Sequence, residues 1–221
     1  MSSYQHISFL TFVRKNYYMK LSILLIFLLS TITSLGQHDE LSKMLKVDLN
    51  TFIIKYEKGD FNNDGIIDYV TIDSTRNNKS TEVKIHIYEG KSKNNFIKKS
   101  SSKNLSDEFV FNNNPIIKIT DKGVISFFHQ SMRHDYELKI RFEKNYKDYI
   151  IIGSEYHNYG NGAYNTSVSS NYLIKQRIIK ETVYDKKAEQ FVEKSLKKEN
   201  IASEAISLSH LNDDNIYNLF D

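Results

Sequence analysis

The chain has 221 residues, no cysteine and a formal net charge of +3. The absence of cysteine excludes disulfides and a thiol-anchored lipoprotein, so stability must come from a packed core or from bound metal. Residues 1–36 hold three basic and no acidic residues, and the rest of the chain carries 27 of each sign. Without a basic surplus to contact phosphates, we do not expect nucleic-acid binding.

The N-terminal region has the order of a secretory signal peptide. Three basic residues precede the apolar run 21–29, and small residues follow it. The run is shorter than the roughly 20 apolar residues of a membrane-spanning helix, although a retained anchor is the alternative. We expect a signal peptide over 1–36 and a single β-rich domain over 37–221, secreted or periplasmic, with no membrane span after cleavage. Translation can start at Met1 or at Met19.

Strand patterns dominate the part after the signal peptide. In Val83–Tyr88 apolar residues alternate with Lys84 and His86, which is the period of a half-buried strand and predicts that His86 faces water. Tyr136–Glu143 alternates in the same way, and Tyr149–Ile152 is typical of a strand buried on both faces. The predicted strands are Thr51–Tyr56, Asp68–Asp73, Val83–Tyr88, Pro115–Thr120, Gly123–His129, Tyr136–Glu143, Tyr149–Tyr156, Ser167–Lys175 and Gln176–Tyr184.

Two segments have the apolar spacing of helices. One is Asp39–Lys46 and the other is Lys186–Leu196, whose apolar residues fall on one helical stripe. The fold that we expect is mainly β: an antiparallel sheet, a sandwich or an open barrel, with a short C-terminal helix at Lys186–Leu196.

The segment Asp60–Asp68 carries oxygen-bearing side chains at alternate positions around Gly65. Calcium takes six to eight oxygen ligands, and a short loop can supply them in this spacing if it bends sharply at a glycine. The candidate ligands are the side chains of Asp60, Asn62, Asp64 and Asp68 and the backbone carbonyl of Ile66. The alternative is a turn rich in Asn and Asp that needs no ion.

The loop resembles the FG-GAP type of calcium loop found in integrin-like and related secreted bacterial β-proteins. In that family the loop joins two strands and the ninth-position Asp closes the site, which here is Asp68. Thr71 stands where a helix-flanked calcium loop has its bidentate Glu, and the resemblance covers Lys55–Ser74. More loosely, the chain resembles exported β-rich proteins of Gram-negative bacteria with one such loop before an antiparallel sheet. This resemblance implies calcium as a cofactor and no reaction.

The segment Tyr156–Asn165 is rich in aromatic and amide side chains. Such segments are typical of carbohydrate-binding loops, because Tyr stacks on sugar faces and Asn meets hydroxyl groups. The bland alternative is a long exposed loop. The candidate partner-binding residues are Tyr156, Tyr159, Asn161, Tyr164 and Asn165.

Three functions remain open from the sequence. The leading hypothesis is a non-enzymatic, calcium-stabilised binding module for a protein or glycan partner. The rival is a cell-envelope hydrolase built on His129, His134 and Asp135. Together with Glu155 and His157, the two histidines suggest a zinc site, but the spacing of these residues matches no familiar ligand pattern. A structural envelope protein is the third, and the oligomeric state is open.

Overall fold

The computed structural model describes residues 40–76, 81–105, 116–160, 163–202 and 204–220. The predicted signal peptide, 1–36, lies outside them. Contacts divide the chain into two compact units, Met1–Lys43 and Met44–Asp221, and the second is the β-rich body. Residues 40–45 are helical, within the helix predicted at Asp39–Lys46. Over the described ranges no helix has the length and apolar character needed to cross a membrane.

The first sheet is a four-stranded antiparallel meander in which each strand pairs with the next along the chain. The order is β1-β2-β3-β4. The strand β4 was not predicted, because most of its side chains are polar. Of its two apolar residues, only Phe96 is buried. The strands are β1 (Thr51–Gly59), β2 (Asp68–Arg76), β3 (Thr81–Ser92) and β4 (Asn95–Ser101).

The second sheet is a longer antiparallel meander, with the order β11-β10-β9-β8-β7-β6-β5, and the short strand β12 pairs with β8. Every strand predicted after residue 115 falls on one of these, although the one predicted at Ser167–Lys175 ends at Asn171, where a turn begins. The strands are β5 (Ile116–Ile119), β6 (Ile125–Gln130), β7 (His134–Glu143), β8 (Asp148–Asn158), β9 (Tyr164–Asn171), β10 (Gln176–Asp185), β11 (Gln190–Asn200) and β12 (Ile206–Ser207).

The two sheets form a sandwich around one hydrophobic core, which decides between the sheet, sandwich and open-barrel alternatives. Alternate residues of each strand supply the core, as the period-two pattern predicts. Each fully buried Val, Leu or Ile contributes roughly 1.5 to 3 kcal/mol relative to exposure. Core residues of the first sheet are Val70, Ile72, Val83, Ile85 and Ile87, and those of the second include Ile117, Ile125, Phe127, Leu138, Ile140, Tyr149 and Ile151.

The helix predicted at Lys186–Leu196 is wrong. This segment is the turn and most of the strand β11, which pairs with β10 from Asp185 and Gln190 to Gln176 and Asn200. The Asp185 carboxylate accepts hydrogen bonds from the backbone of Lys187 (2.8 Å), which stabilises the turn. The apolar stripe that suggested a helix packs on no core, since Phe191 and Leu196 are both exposed. Pairing with β10 satisfies the backbone hydrogen bonds of this segment, whereas a short helix that packs on no core would be only marginally stable.

The short C-terminal helix exists at Asp213–Ile216, beyond the predicted position. It follows a 3-10 turn at Leu208–His210, and a second 3-10 turn at Tyr217–Leu219 ends the described chain. This terminal segment covers an end of the core. Its buried residues are Leu208, Leu211, Ile216, Leu219 and Phe220.

Candidate functional site

The loop between β1 and β2 adopts the sharp turn that its sequence predicts. Gly65 has a φ of 83° and Asn63 a φ of 60°, in the left-handed region that Gly and Asn tolerate best. The loop is held against the body at Gly90 of β3, where an added Cβ would overlap the Ile67 carbonyl oxygen. Phe61 turns the other way and is buried in the core.

Three of the predicted ligand side chains fold back onto the backbone of the loop. Asp60 accepts hydrogen bonds from the N–H groups of Asp64 (3.1 Å) and Gly65 (2.9 Å). Asn62 accepts from Asp64 N–H (3.0 Å), and Asp64 accepts from Ile66 N–H (2.8 Å). The side chains of Asp60, Asn62 and Asp64 therefore curl around one turn of chain.

Asp68 has a different setting, because its carboxylate is fully buried at the base of the loop. Its Oδ2 accepts from Phe61 N–H (2.8 Å) and its Oδ1 from Gly90 N–H (2.9 Å). Burial raises the pKa of Asp68 to about 6, and these two hydrogen bonds offset part of that effect. Asp68 thus ties β1, β2 and β3 together where the loop leaves the sheet.

The donor chemistry of this loop suits calcium, since it offers carboxylate and amide oxygens together with the Ile66 carbonyl. The carboxylates of the loop do not come together as a complete metal site. In the parts of the chain that the structure describes, no group of three or more His, Cys, Asp or Glu side chains is placed to hold a metal. Asp60, Asn62 and Asp64 face the turn, whereas both oxygens of Asp68 accept backbone N–H groups.

The histidines of the hydrolase hypothesis lie on one face of the second sheet. His129 is paired with Tyr136 across β6 and β7, and the rings of His129 and His134 lie 6.1 and 5.0 Å from that of Tyr136. Burial lowers the pKa of His129, and the nearby His134 lowers it further. Because successive residues of a strand face opposite sides, Asp135 lies on the other face, where it accepts a hydrogen bond from the Tyr159 hydroxyl. His134 and Asp135 do not face one cleft.

The two further residues of the zinc alternative, Glu155 and His157, lie on the same face as Asp135. Glu155 pairs with Glu137 and His157 with Asp135 across β7 and β8. The His157 Nε2 is 3.8 Å from the Glu155 carboxylate, which is engaged by Lys139. Since His134 lies on the opposite face, the sheet separates the imagined zinc ligands.

A small groove lies on the Asp135 face of the second sheet, beside the predicted partner-binding loop. Its volume is about 260 Å³. Across the strands, His157 of β8 pairs with Ser167 of β9, and Ser167 pairs with Lys180 of β10. The floor of the groove is therefore a row of side chains that crosses three strands. The lining residues are His157, Asn158, Tyr159, Asn165, Thr166, Ser167, Lys180 and Thr182.

The structure divides the five predicted partner-binding residues. Tyr159 and Asn165 line the groove. Tyr156 does not, because its ring stacks on Tyr136 (5.1 Å, 27°) on the other face of the sheet. The Tyr164 ring lies under the Lys194 ammonium at 5.2 Å. Asn161 lies outside the described residues.

Sequence reasoning missed Lys180 and Thr182, which are 15 or more residues from the predicted loop. Both belong to a strand that was predicted correctly at Gln176–Tyr184, and alternation alone would have placed them on one face. Their position beside Ser167 and Asn165 depends on the pairing of β9 with β10. No protein-family model, curated protein or solved structure matches the chain.

Proposed function

We propose that this protein is an exported, calcium-stabilised and non-enzymatic β-domain that binds a carbohydrate in the groove across β8, β9 and β10. The observation that carries the proposal is the composition of the groove. Its lining residues carry amide, hydroxyl, imidazole and ammonium groups, and Tyr159 is among them. Sugar hydroxyls donate and accept hydrogen bonds, and such a mixed set of groups can satisfy both roles.

The size and openness of the groove favour a small saccharide over a protein partner. Its volume of about 260 Å³ is just below the range of small-molecule pockets, which run from roughly 300 Å³ upward. A stable protein interface buries on the order of 800 Å² on each partner and has an apolar centre. The groove is too small for the centre of such an interface, and so a glycan is the better fit of the two partners.

The test is a binding titration of the purified protein against glucose, galactose, N-acetylglucosamine and their short oligomers. Thr182→Val removes a hydroxyl without changing side-chain volume, and Lys180→Met removes the ammonium. We expect each change to weaken binding of the saccharide that titrates by about fivefold or more, because one lost hydrogen bond costs about 1 kcal/mol.

The matched controls are Thr81→Val and Lys197→Met, whose positions are exposed on other strands. These controls should bind like the parent. Failure of every saccharide to bind, or binding that Lys180→Met and Thr182→Val leave intact, would refute the glycan site.

Calcium is the second part of the proposal, and the resemblance of the loop together with its turn geometry supports it. The side chains of Asp60, Asn62 and Asp64 are gathered around one turn, and two of them carry negative charge. A cation bound there would relieve the repulsion and fasten the β1–β2 connection. With few charges in the loop, we expect the weak affinity of extracellular modules, with a Kd of roughly 0.1 to 1 mM.

A thermal melt tests the calcium site directly. At 10 mM calcium and a Kd of about 0.1 mM, a ligand of the native state raises the free energy of unfolding by roughly 2.7 kcal/mol, and Tm should rise by several degrees over the value in chelator. Asp64→Asn keeps an acceptor for Ile66 N–H and removes charge, so its calcium-dependent shift should shrink. Glu204→Gln, an exposed carboxylate elsewhere, should keep the full shift. Equal Tm in calcium and chelator would exclude the metal.

The hydrolase alternative receives less support from the geometry, because His134 and Asp135 face opposite sides of the sheet. Export is the third part of the proposal, and the basic residues followed by an apolar run in residues 1–36 support it. Export also agrees with a weak calcium site, which suits the millimolar calcium outside the cytoplasm.

A further inference from the structure

A second pocket lies on the outer face of the first sheet, beneath the chain that leads into β1. Its volume is about 200 Å³. The leading segment is fixed there by a hydrogen bond from Thr51 N–H to the Asp48 carbonyl and by contact of the Thr51 and Thr75 hydroxyls at 2.8 Å. The lining residues are Val47, Asp48, Thr51, Asp73, Thr75, Glu82, Lys84, His86 and Lys98.

Asp73 is the unusual member of this lining. Its side chain is 2% exposed, and among the described residues neither carboxylate oxygen accepts a hydrogen bond of good geometry; the Thr71 hydroxyl is the nearby donor. Burial raises its pKa to about 6, against smaller opposing effects of the Thr71 hydroxyl and the Lys98 ammonium. A buried carboxylate without a paired donor is costly, and such groups in native proteins are normally paired.

The neighbouring lysines do not supply that pairing. Lys84 is bound to Glu82 at 2.7 Å, on the rim of the pocket. Lys98 lies over the ring of Tyr88, with its ammonium 5.6 Å from the ring centroid. Among the described residues, neither lysine forms an ion pair with Asp73 within 4 Å.

His86 does not supply a countercharge either. Its Nε2 is 3.6 Å from the Asp73 carboxylate, too far for a good hydrogen bond. Burial, together with the Lys98 and Lys84 charges, lowers the pKa of His86 to about 3, so the ring is neutral. The prediction that His86 faces water is wrong: it lies on the outer face as the alternation predicts, but Val47 and Asp48 enclose it in the same pocket.

We propose that this pocket binds the primary ammonium group of a small molecule, which pairs with the Asp73 carboxylate. An ammonium group offers three hydrogen-bond donors and a full positive charge, and the Asp73 carboxylate has neither a well-placed donor nor an ion-pair partner for its oxygens. The lining holds three carboxylates, Asp48, Asp73 and Glu82, against the two ammonium groups of Lys84 and Lys98, and this excess of negative charge favours a cation over an anion. The proposal is independent of the glycan groove, which belongs to the other sheet.

A metal ion fits the pocket less well than an ammonium group. The pocket offers one carboxylate and one imidazole close together, and the described residues assemble no group of three such side chains able to hold a metal. Two ligands bind a divalent cation weakly, since stable sites use at least three from the protein.

The experiment is calorimetric titration of the purified full-length protein with ethanolamine as the probe and sodium acetate as the anionic counterpart. We expect ethanolamine to bind and acetate not to bind. Asp73→Asn should weaken ethanolamine binding at least tenfold while its cooperative thermal melt shows that it folds. Glu204→Gln, a carboxylate change on the exposed surface, should bind like the parent.

Rim variants keep the test decisive if Asp73→Asn fails to fold, because Asp48 and Lys98 are both exposed. Asp48→Asn should weaken ethanolamine binding a few-fold, and Lys98→Met should strengthen it by removing a competing cation. The opposite signs would mean that these charges do not select a cation and would overturn the proposal. Absence of ethanolamine binding would overturn it as well.

Discussion

Two buried residues of the first sheet, Asp73 and His86, line one pocket and have pKa values shifted in opposite directions. Asp73 loses hydration and its pKa rises from 3.8 to about 6, whereas that of His86 falls from 6.5 to about 3. Burial disfavours the charged form of each group, and for an acid and a base this shifts the pKa in opposite directions. The protein therefore holds a carboxylate and an imidazole side by side without a hydrogen bond between them.

The pH dependence of stability should separate these two residues. Between pH 4 and 6 folded Asp73 holds a proton that the unfolded chain releases, so its effect lowers the free energy of unfolding as pH rises through that interval. His86 acts oppositely, because below pH 6.5 the unfolded chain takes up a proton that the folded one does not. Of these two effects, only that of His86 remains in Asp73→Asn, and the other titrating groups are common to the variant and the parent.

We therefore expect Asp73→Asn to gain stability over the parent as pH rises from 4 to 7, by up to roughly 3 kcal/mol, from the size of the pKa shift. Urea unfolding at pH 4, 5, 6 and 7 measures this difference. The charged groups around the pair, on the lining of the same pocket, are Asp48, Glu82, Lys84 and Lys98. A difference that does not change with pH would mean that Asp73 titrates normally.

At the scale of elements, the β10–β11 hairpin shows how strand pairing overrides a helical pattern. Tyr184 and Phe191 are direct cross-strand partners, with ring centroids 5.4 Å apart. Both are substantially exposed, so the pair stabilises the hairpin locally and adds little to the core.

A double-mutant cycle of Tyr184→Ala and Phe191→Ala should give a coupling energy of about 0.5 to 1 kcal/mol, as expected for an edge-to-face aromatic pair. Chemical denaturation of the four proteins measures it. Leu196→Ala, at an exposed position of the same strand that faces Lys180, serves as the control partner and should show no coupling with Tyr184→Ala. Zero coupling between residues 184 and 191 would show that the rings do not interact in solution.

The whole β-rich body depends on its C-terminal segment. The Leu219 carbonyl accepts hydrogen bonds from the Ser154 and Tyr172 hydroxyls, at 2.6 Å each. The Phe220 ring packs on Tyr136 at 4.7 Å, and Leu208, Leu211 and Ile216 belong to the same core as the two sheets. Residues far apart in the sequence thus contribute to one core with the two sheets.

Leu211→Ala should lower the free energy of unfolding by roughly 2 to 5 kcal/mol, because it leaves a cavity in a fully buried site. Thermal or urea unfolding measures the loss. Leu173→Ala removes the same atoms from an exposed position and should change stability by less than about 0.5 kcal/mol. Equal effects of the two changes would contradict the position of the C-terminal segment in the core.

The periodicity of local segments was enough to predict most strands and the sharp turn at Asp60–Asp68. Alternation needs only neighbouring residues, as in Tyr136–Glu143, where it predicts the buried face correctly. Local spacing also selected Asp60, Asn62 and Asp64, whose hydrogen bonds are confined to one turn. Local spacing did not distinguish the buried Asp68 from these three residues, because one of its two hydrogen-bond donors is Gly90, on a different strand.

The sequence by itself determined the β class, the positions of most strands and the local chemistry of the loop, because these depend on contacts within a few residues. Only the tertiary structure decided that two sheets form a sandwich, that β10 pairs with residues 190–200, and that His134 and Asp135 face opposite sides. It also placed Asp73 and His86 under the chain at Val47 and Asp48. Each of these depends on pairing and packing between distant segments, whose energies arise only when the chain closes on itself.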